Sequence, residues 1–143
     1  MTEVSFHTGV ADPFGYACRL VRKAVRKGAV VVVSAPMETL RRFDQALWAF
    51  EPLEFIAHAM VREGQPIEPR LARTPVWLVP PQATPPSTDV LVNLGSEWVP
   101  RFEDYQRVIE IVGVDPTQAH AARQRWRRYK ELGHAITHHE VAT

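Results

Sequence analysis

Glycine is scarce in this chain, seven residues in 143, and nowhere do the glycines gather into a loop that could cradle phosphate. The turn HTGVADPF, which follows the first apparent strand, holds only Gly9, and Pro13 opens the next helix. A dinucleotide site needs several glycines there, so that backbone can approach a pyrophosphate. The pattern G-x-x-x-x-G-K-[ST] is absent throughout. The turn SAPMET offers Ser34 and a helix N-terminus but no glycine-rich loop. No cofactor is expected. Cysteine is scarcer still. Cys18 stands alone, which excludes an internal disulfide framework and fits a reducing cytoplasm. It falls on an apolar helical stripe and reads as core packing. No apolar run approaches the ~18 residues of a membrane span. The stretch MTEVSFHTGVADPF lacks the basic start and apolar run of a signal peptide. A soluble, cytoplasmic protein is expected. A net charge of +1 does not suggest a generic DNA-coating protein, which needs a basic surface overall.

What is present is an alternation of strand and helix patterns. VSFH (4–7) alternates like a short strand. Asp12 and Pro13 supply an N-cap and a first helical position, and Phe14, Ala17, Cys18, Val21, Ala24 and Val25 recur at helical spacing up to Gly28. AVVVVS (29–34) is a β-branched run suited to a strand buried on both faces. A second helix begins near Met37 to Thr39, with Leu40, Phe43 and Leu47 inward. Further strands are expected at 55–59, 75–79 and 89–95, a short helix or turn within 96–106, and a final strand at 107–113. PPQATPPST (80–88), with four prolines, must be an exposed connection. Asp115 and Pro116 start a last helix that Gly133 ends. The pattern implies one α/β domain over 1–133: a three-layer sandwich around a mostly parallel, Rossmann-like sheet lacking a nucleotide site, with 134–143 as a C-terminal tail.

Catalytic chemistry has little to stand on. His7 closes the first expected strand, without a paired nucleophile. His134, His138 and His139, beside Glu140, lie in a stretch read as a solvated tail rather than a metal site, which would need a fixed scaffold. A non-catalytic protein is expected.

Charge is more informative. Residues 123–130 hold Arg123, Arg125, Arg127, Arg128 and Lys130 around Trp126, with no acid. The remainder of the chain outside 121–133 has twelve basic and fifteen acidic residues, a net of −3. On a helix Arg123, Trp126, Arg127 and Lys130 share one face, while Arg125 and Arg128 point elsewhere. Ala119, Ala122, Trp126 and Tyr129 form a second stripe that could pack on the sheet. Three uses fit such a face: a solvated helix surface, single-stranded nucleic acid bound through phosphates and a stacked base, or an acidic peptide gripped by guanidinium forks. Spacing alone leaves these open.

A resemblance narrows them. RRFDQALWAFEPLEFIAHAM (41–60) carries R-x-D-x-x-L-W followed by an aromatic and a histidine, and ARQRWRRYKELG (122–133) is a basic helix closed by glycine. Together, and in this order, they resemble the chi-subunit family of the bacterial DNA polymerase III holoenzyme across nearly the whole chain. The resemblance implies a non-catalytic replication subunit of the clamp loader that binds the acidic C-terminal tail of single-stranded-DNA-binding protein, a tail ending in phenylalanine and its free carboxylate. It meets DNA only indirectly, and no membrane. The family's tail-binding positions correspond to Arg123, Trp126 and Arg127, with Val112 on the apolar side and Lys130 on the same basic face. Ala119 stands where the family carries a basic residue. A second small subunit, psi, would meet a surface including Phe55 and Ile56. Trp48, near that segment, is expected in the core at a helix end. The alternative function is direct binding of single-stranded nucleic acid.

Overall fold

A computed structural model describes residues 2–50 and 56–141. The strands are β1 (Glu3–Val10), β2 (Val31–Ser34), β3 (His58–Met60), β4 (Val76–Val79), β5 (Val90–Asn93), β6 (Arg107–Gly113) and β7 (Ile136–Glu140). The helices are α1 (Pro13–Arg26), α2 (Met37–Phe50) and α3 (Pro116–Glu131). The strands form one sheet in the order β3-β4-β2-β5-β6-β1-β7, and every pairing is parallel. Both faces are covered, as the β-branched strand sequences require. Beneath α1 and α2 lie Val31, Val33, Ile109 and Ile111 with Ala17, Val21, Leu40 and Phe43. On the α3 side, Val4, Phe6, Leu91, Val108 and Val112 pack with Ala122 and Tyr129. This is the three-layer α/β sandwich that the sequence pattern implies.

Local signals act where they stand. The Asp12 carboxylate accepts from Gly15 N and Asp115 from Thr117 N, each just before a proline in the first helical turn. Gly28 and Gly133 follow the two helices at φ of 85° and 87°, the left-handed conformation that closes a helix end. Between His7 and Val10 the register of β1 against β6 shifts, where Gly9 takes φ 70°.

Several expectations are corrected. β1 runs on to Val10, so His7 lies inside the strand and not at its end. The strand expected over 55–59 is His58–Met60; Phe55 lies outside the described residues. Within 96–106 the expected short helix or turn is a 3-10 turn at Phe102–Asp104. β6 is not the last strand. The stretch read as a solvated tail supplies β7, which pairs with β1 from Val4↔Ile136 to Thr8↔Glu140. The open edge of β1 offers backbone partners that compensate for the polar sequence ITHHE. Trp48, expected in the core, is 58% exposed and lies against the His58 ring at 5.1 Å. The residue whose burial does complete the core there is Ile56.

Candidate functional site

The strand order reverses around β1 and β6. From β1 the chain crosses through α1 towards β2, and from β6 it crosses through α3 to β7 on the other side of β1. Ligands of open parallel sheets bind at such points, beside the carboxyl ends of the strands. A groove of about 650 Å³ opens there on the α3 face. Thr8 and Gly9 of β1 and Val112 and Gly113 of β6 contribute its floor, and Arg123, Trp126 and Arg127 its helical wall. Gly113 leaves room for Gln118 to fold back, so that Gly113 N donates to Gln118 Oε1 at 3.1 Å. A Cβ at Gly113 would come within 2.5 Å of that oxygen.

Four residues singled out from sequence, Val112, Arg123, Trp126 and Arg127, therefore come together on one groove. Lys130 is exposed but does not line it. Trp126 is neither sealed in nor free. Its ring packs edge-on to Phe6 at 5.0 Å and to His138 at 5.5 Å, leaving part of the indole at the surface. Arg123 and Arg127 are exposed, one on each side of it in sequence. Neither joins a salt bridge among the described residues. His138, held by Thr8 Oγ1 at 2.6 Å, is a groove residue that sequence reasoning missed. Its signal was unreadable without knowing that 136–140 is a strand.

The other two arginines of the basic run are engaged elsewhere. Arg125 is buried and donates to Glu110 Oε1 at 3.1 Å and to the Ser96 carbonyl at 2.6 Å. Glu110 also accepts from Asn93 Nδ2 at 3.0 Å and from the Tyr129 hydroxyl at 2.8 Å. Complete burial pushes the Glu110 carboxyl upward, while the Arg125 charge and the three donors pull it back. Burial and the adjacent carboxylate also push the Tyr129 phenol up, so it remains a donor. Arg128 lies over the Trp98 ring, 4.1 Å from its centroid. The network anchors α3 to β6 from inside and thereby sets which side chains face the groove.

His7 and the C-terminal histidines do not converge. Alternation along β1 and β7 turns His138 toward α3 and His139 toward the opposite face, where its ring lies 4.7 Å from His7. Among the described residues no group of three His, Cys, Asp or Glu side chains could hold a metal ion. Nor is any helix of the described residues long and apolar enough to cross a membrane.

Comparison with known proteins adds the following. Residues 1–137 match the family described as DNA polymerase III chi subunit, HolC. The DNA polymerase III subunit chi of Pseudomonas aeruginosa is 33% identical, with 99% of this chain and 98% of that protein aligned. The subunit of the same name from Escherichia coli K12 is 27% identical over 81% of this chain and 77% of its own length. In structure, the chain resembles T4 UvsW with a TM-score of 0.71 at 10% identity, covering 98% of this chain and 41% of that one. That last likeness is one of fold alone.

Proposed function

Because this chain belongs to the DNA polymerase III chi subunit family, and so has an accessory role in DNA replication, we propose that the groove beside α3 receives the acidic C-terminal tail of single-stranded-DNA-binding protein. The subunit acts without catalysis of its own, in the cytoplasm, linking that protein to the clamp loader. The observation that carries the reading is the placement of two exposed guanidinium groups, without a salt bridge among the described residues, beside a half-buried indole over a floor that includes Val112. An acidic chain end with a terminal phenylalanine matches it part by part. Carboxylates meet the planar forks of Arg123 and Arg127, and the aromatic side chain lies against Trp126 and Val112. Lys130, outside the groove, adds to the local field rather than to a contact.

The magnitudes describe an exchangeable link. Burying a phenylalanine contributes about 1.5–3 kcal/mol and each exposed ion pair about 0.2–1 kcal/mol. After the cost of ordering the tail, micromolar affinity is the upper bound, near about −8 kcal/mol. Attachment to the clamp loader through psi would use the surface around Trp48, which stands out from α2. Ile56, the other residue singled out for psi, is buried in the core and offers no exposed contact to a partner. Calorimetric titration of a synthetic tail peptide into the wild type and Arg127→Ala tests the groove; equal affinities would reject it.

A further inference from the structure

The cationic face of α3 has a counterpart on the opposite side of the sheet. Residues 13–28 contain five basic residues and no aspartate or glutamate. Three of them, Arg19, Lys23 and Lys27, recur at intervals of four and so stand in line along the helix, about 6 Å apart in rise. They border a second groove of about 520 Å³, between α1 and the sheet. Arg107 of β6 lines the same groove, and its floor is aliphatic, with Val92 and Ile109. Among the described residues no carboxylate lines it. Glu3, the register neighbour of Arg107, makes no ion pair with it, and none of the four cations joins a salt bridge among the described residues.

One end of this groove is ringed by aromatics. His7 lies 5.5 Å from Tyr16 and 4.7 Å from His139, ring centre to ring centre, and Arg19 stands 5.9 Å from the Tyr16 ring. The Tyr16 hydroxyl meets His7 Nδ1, while the buried Nε2 of His7 has no hydrogen-bond partner among the described residues. The His7 imidazole is held down to about 4, first by burial and then by its electrostatic interaction with His139 and Arg107.

We propose that this groove is a second recognition site, one that takes the backbone of single-stranded DNA. The cations are strung along a line and do not converge on a point, which suits successive phosphates better than a single small anion. Rings gathered at one end beside an apolar floor offer a surface for an unstacked base, the usual partner of a cationic track in single-strand recognition. An acidic peptide shares the charge, but its one terminal aromatic would use a single contact and not a line of evenly spaced cations. Since α1 and α3 lie on opposite faces, a protein tail and a DNA strand can be held together on one subunit.

The test is fluorescence anisotropy of a labelled thymidylate oligonucleotide about a dozen nucleotides long, titrated at several salt concentrations. Four phosphate contacts predict a slope of log K against log salt of about −3, from about −0.7 per phosphate. Lys23→Ala with Arg107→Ala should halve that slope, and Lys23→Glu with Lys27→Glu should abolish binding. These residues are exposed, so thermal unfolding should be unchanged. Arg127→Ala should leave oligonucleotide binding intact while weakening the tail peptide, which separates this proposal from the one on α3. Binding that is absent at low salt, insensitive to the α1 substitutions, or lost with Arg127→Ala would overturn it. So would capture of a polyglutamate peptide, but not of the oligonucleotide, by the α1 groove.

Discussion

Arg125 and Glu110 meet inside the protein at 3.1 Å, with side chains only 6% and 0% exposed. The pair joins the middle of α3 to the centre of β6, and it withdraws one guanidinium from a run of five cations. Arg128, over Trp98, is a second member directed away from the groove. What remains beside the groove is Arg123 and Arg127, so the recognition face is narrower than its local charge density suggests.

Breaking that pair should be costly. Arg125→Ala leaves a fully buried carboxylate without its counter-ion, and a loss of about 3–5 kcal/mol in urea unfolding is expected. Replacing both partners with apolar residues of similar size should cost less than the single change, because no orphaned charge remains. A single-variant loss under about 1 kcal/mol would contradict the role given to the pair.

Tail binding should depend on salt chiefly through the two exposed arginines of the groove. Arg123→Ala with Arg127→Ala should weaken a tail peptide about tenfold, near 1.4 kcal/mol, and flatten the salt dependence of what remains. Lys130→Ala should change affinity much less, since Lys130 lies outside the groove. Calorimetry at two ionic strengths checks both.

His7 links stability to pH. Its imidazole titrates near 6.5 when unfolded and is depressed to about 4 in the fold. Between those values the unfolded chain takes up a proton that the folded chain refuses. The stability present above pH 6.5 is therefore lost as pH falls through about 4, by on the order of 2 kcal/mol. Imidazole resonances should place the His7 midpoint near pH 4, and His7→Gln should remove the matching part of the pH dependence of unfolding.

Cys18 should be inert in the folded protein. Burial pushes its thiol up to about 11, so little thiolate exists at neutral pH and none is accessible. Labelling with a thiol reagent at pH 8 should run at least about a hundredfold slower than in urea, because it waits for the structure to open. Rapid labelling under native conditions would show that α1 is not packed as described.

The amino-acid order by itself determined the elements whose signals are local. Asp-Pro pairs and following glycines bound α1 and α3, a β-branched run makes β2, and the spacing of Arg123, Trp126 and Arg127 puts them on one helical face whatever the helix packs against. Only the tertiary structure decided the rest. ITHHE has one partly buried apolar residue and no alternation to mark it, and it becomes β7 because β1 leaves an edge of unpaired backbone beside it. Arg125 looks like its neighbours until Glu110, fifteen positions away, meets it in the interior. The groove of α1 exists because Arg107 and His139 arrive from distant strands. Capping and periodicity act over a few residues, whereas pairing and burial join positions that the chain brings together only by folding.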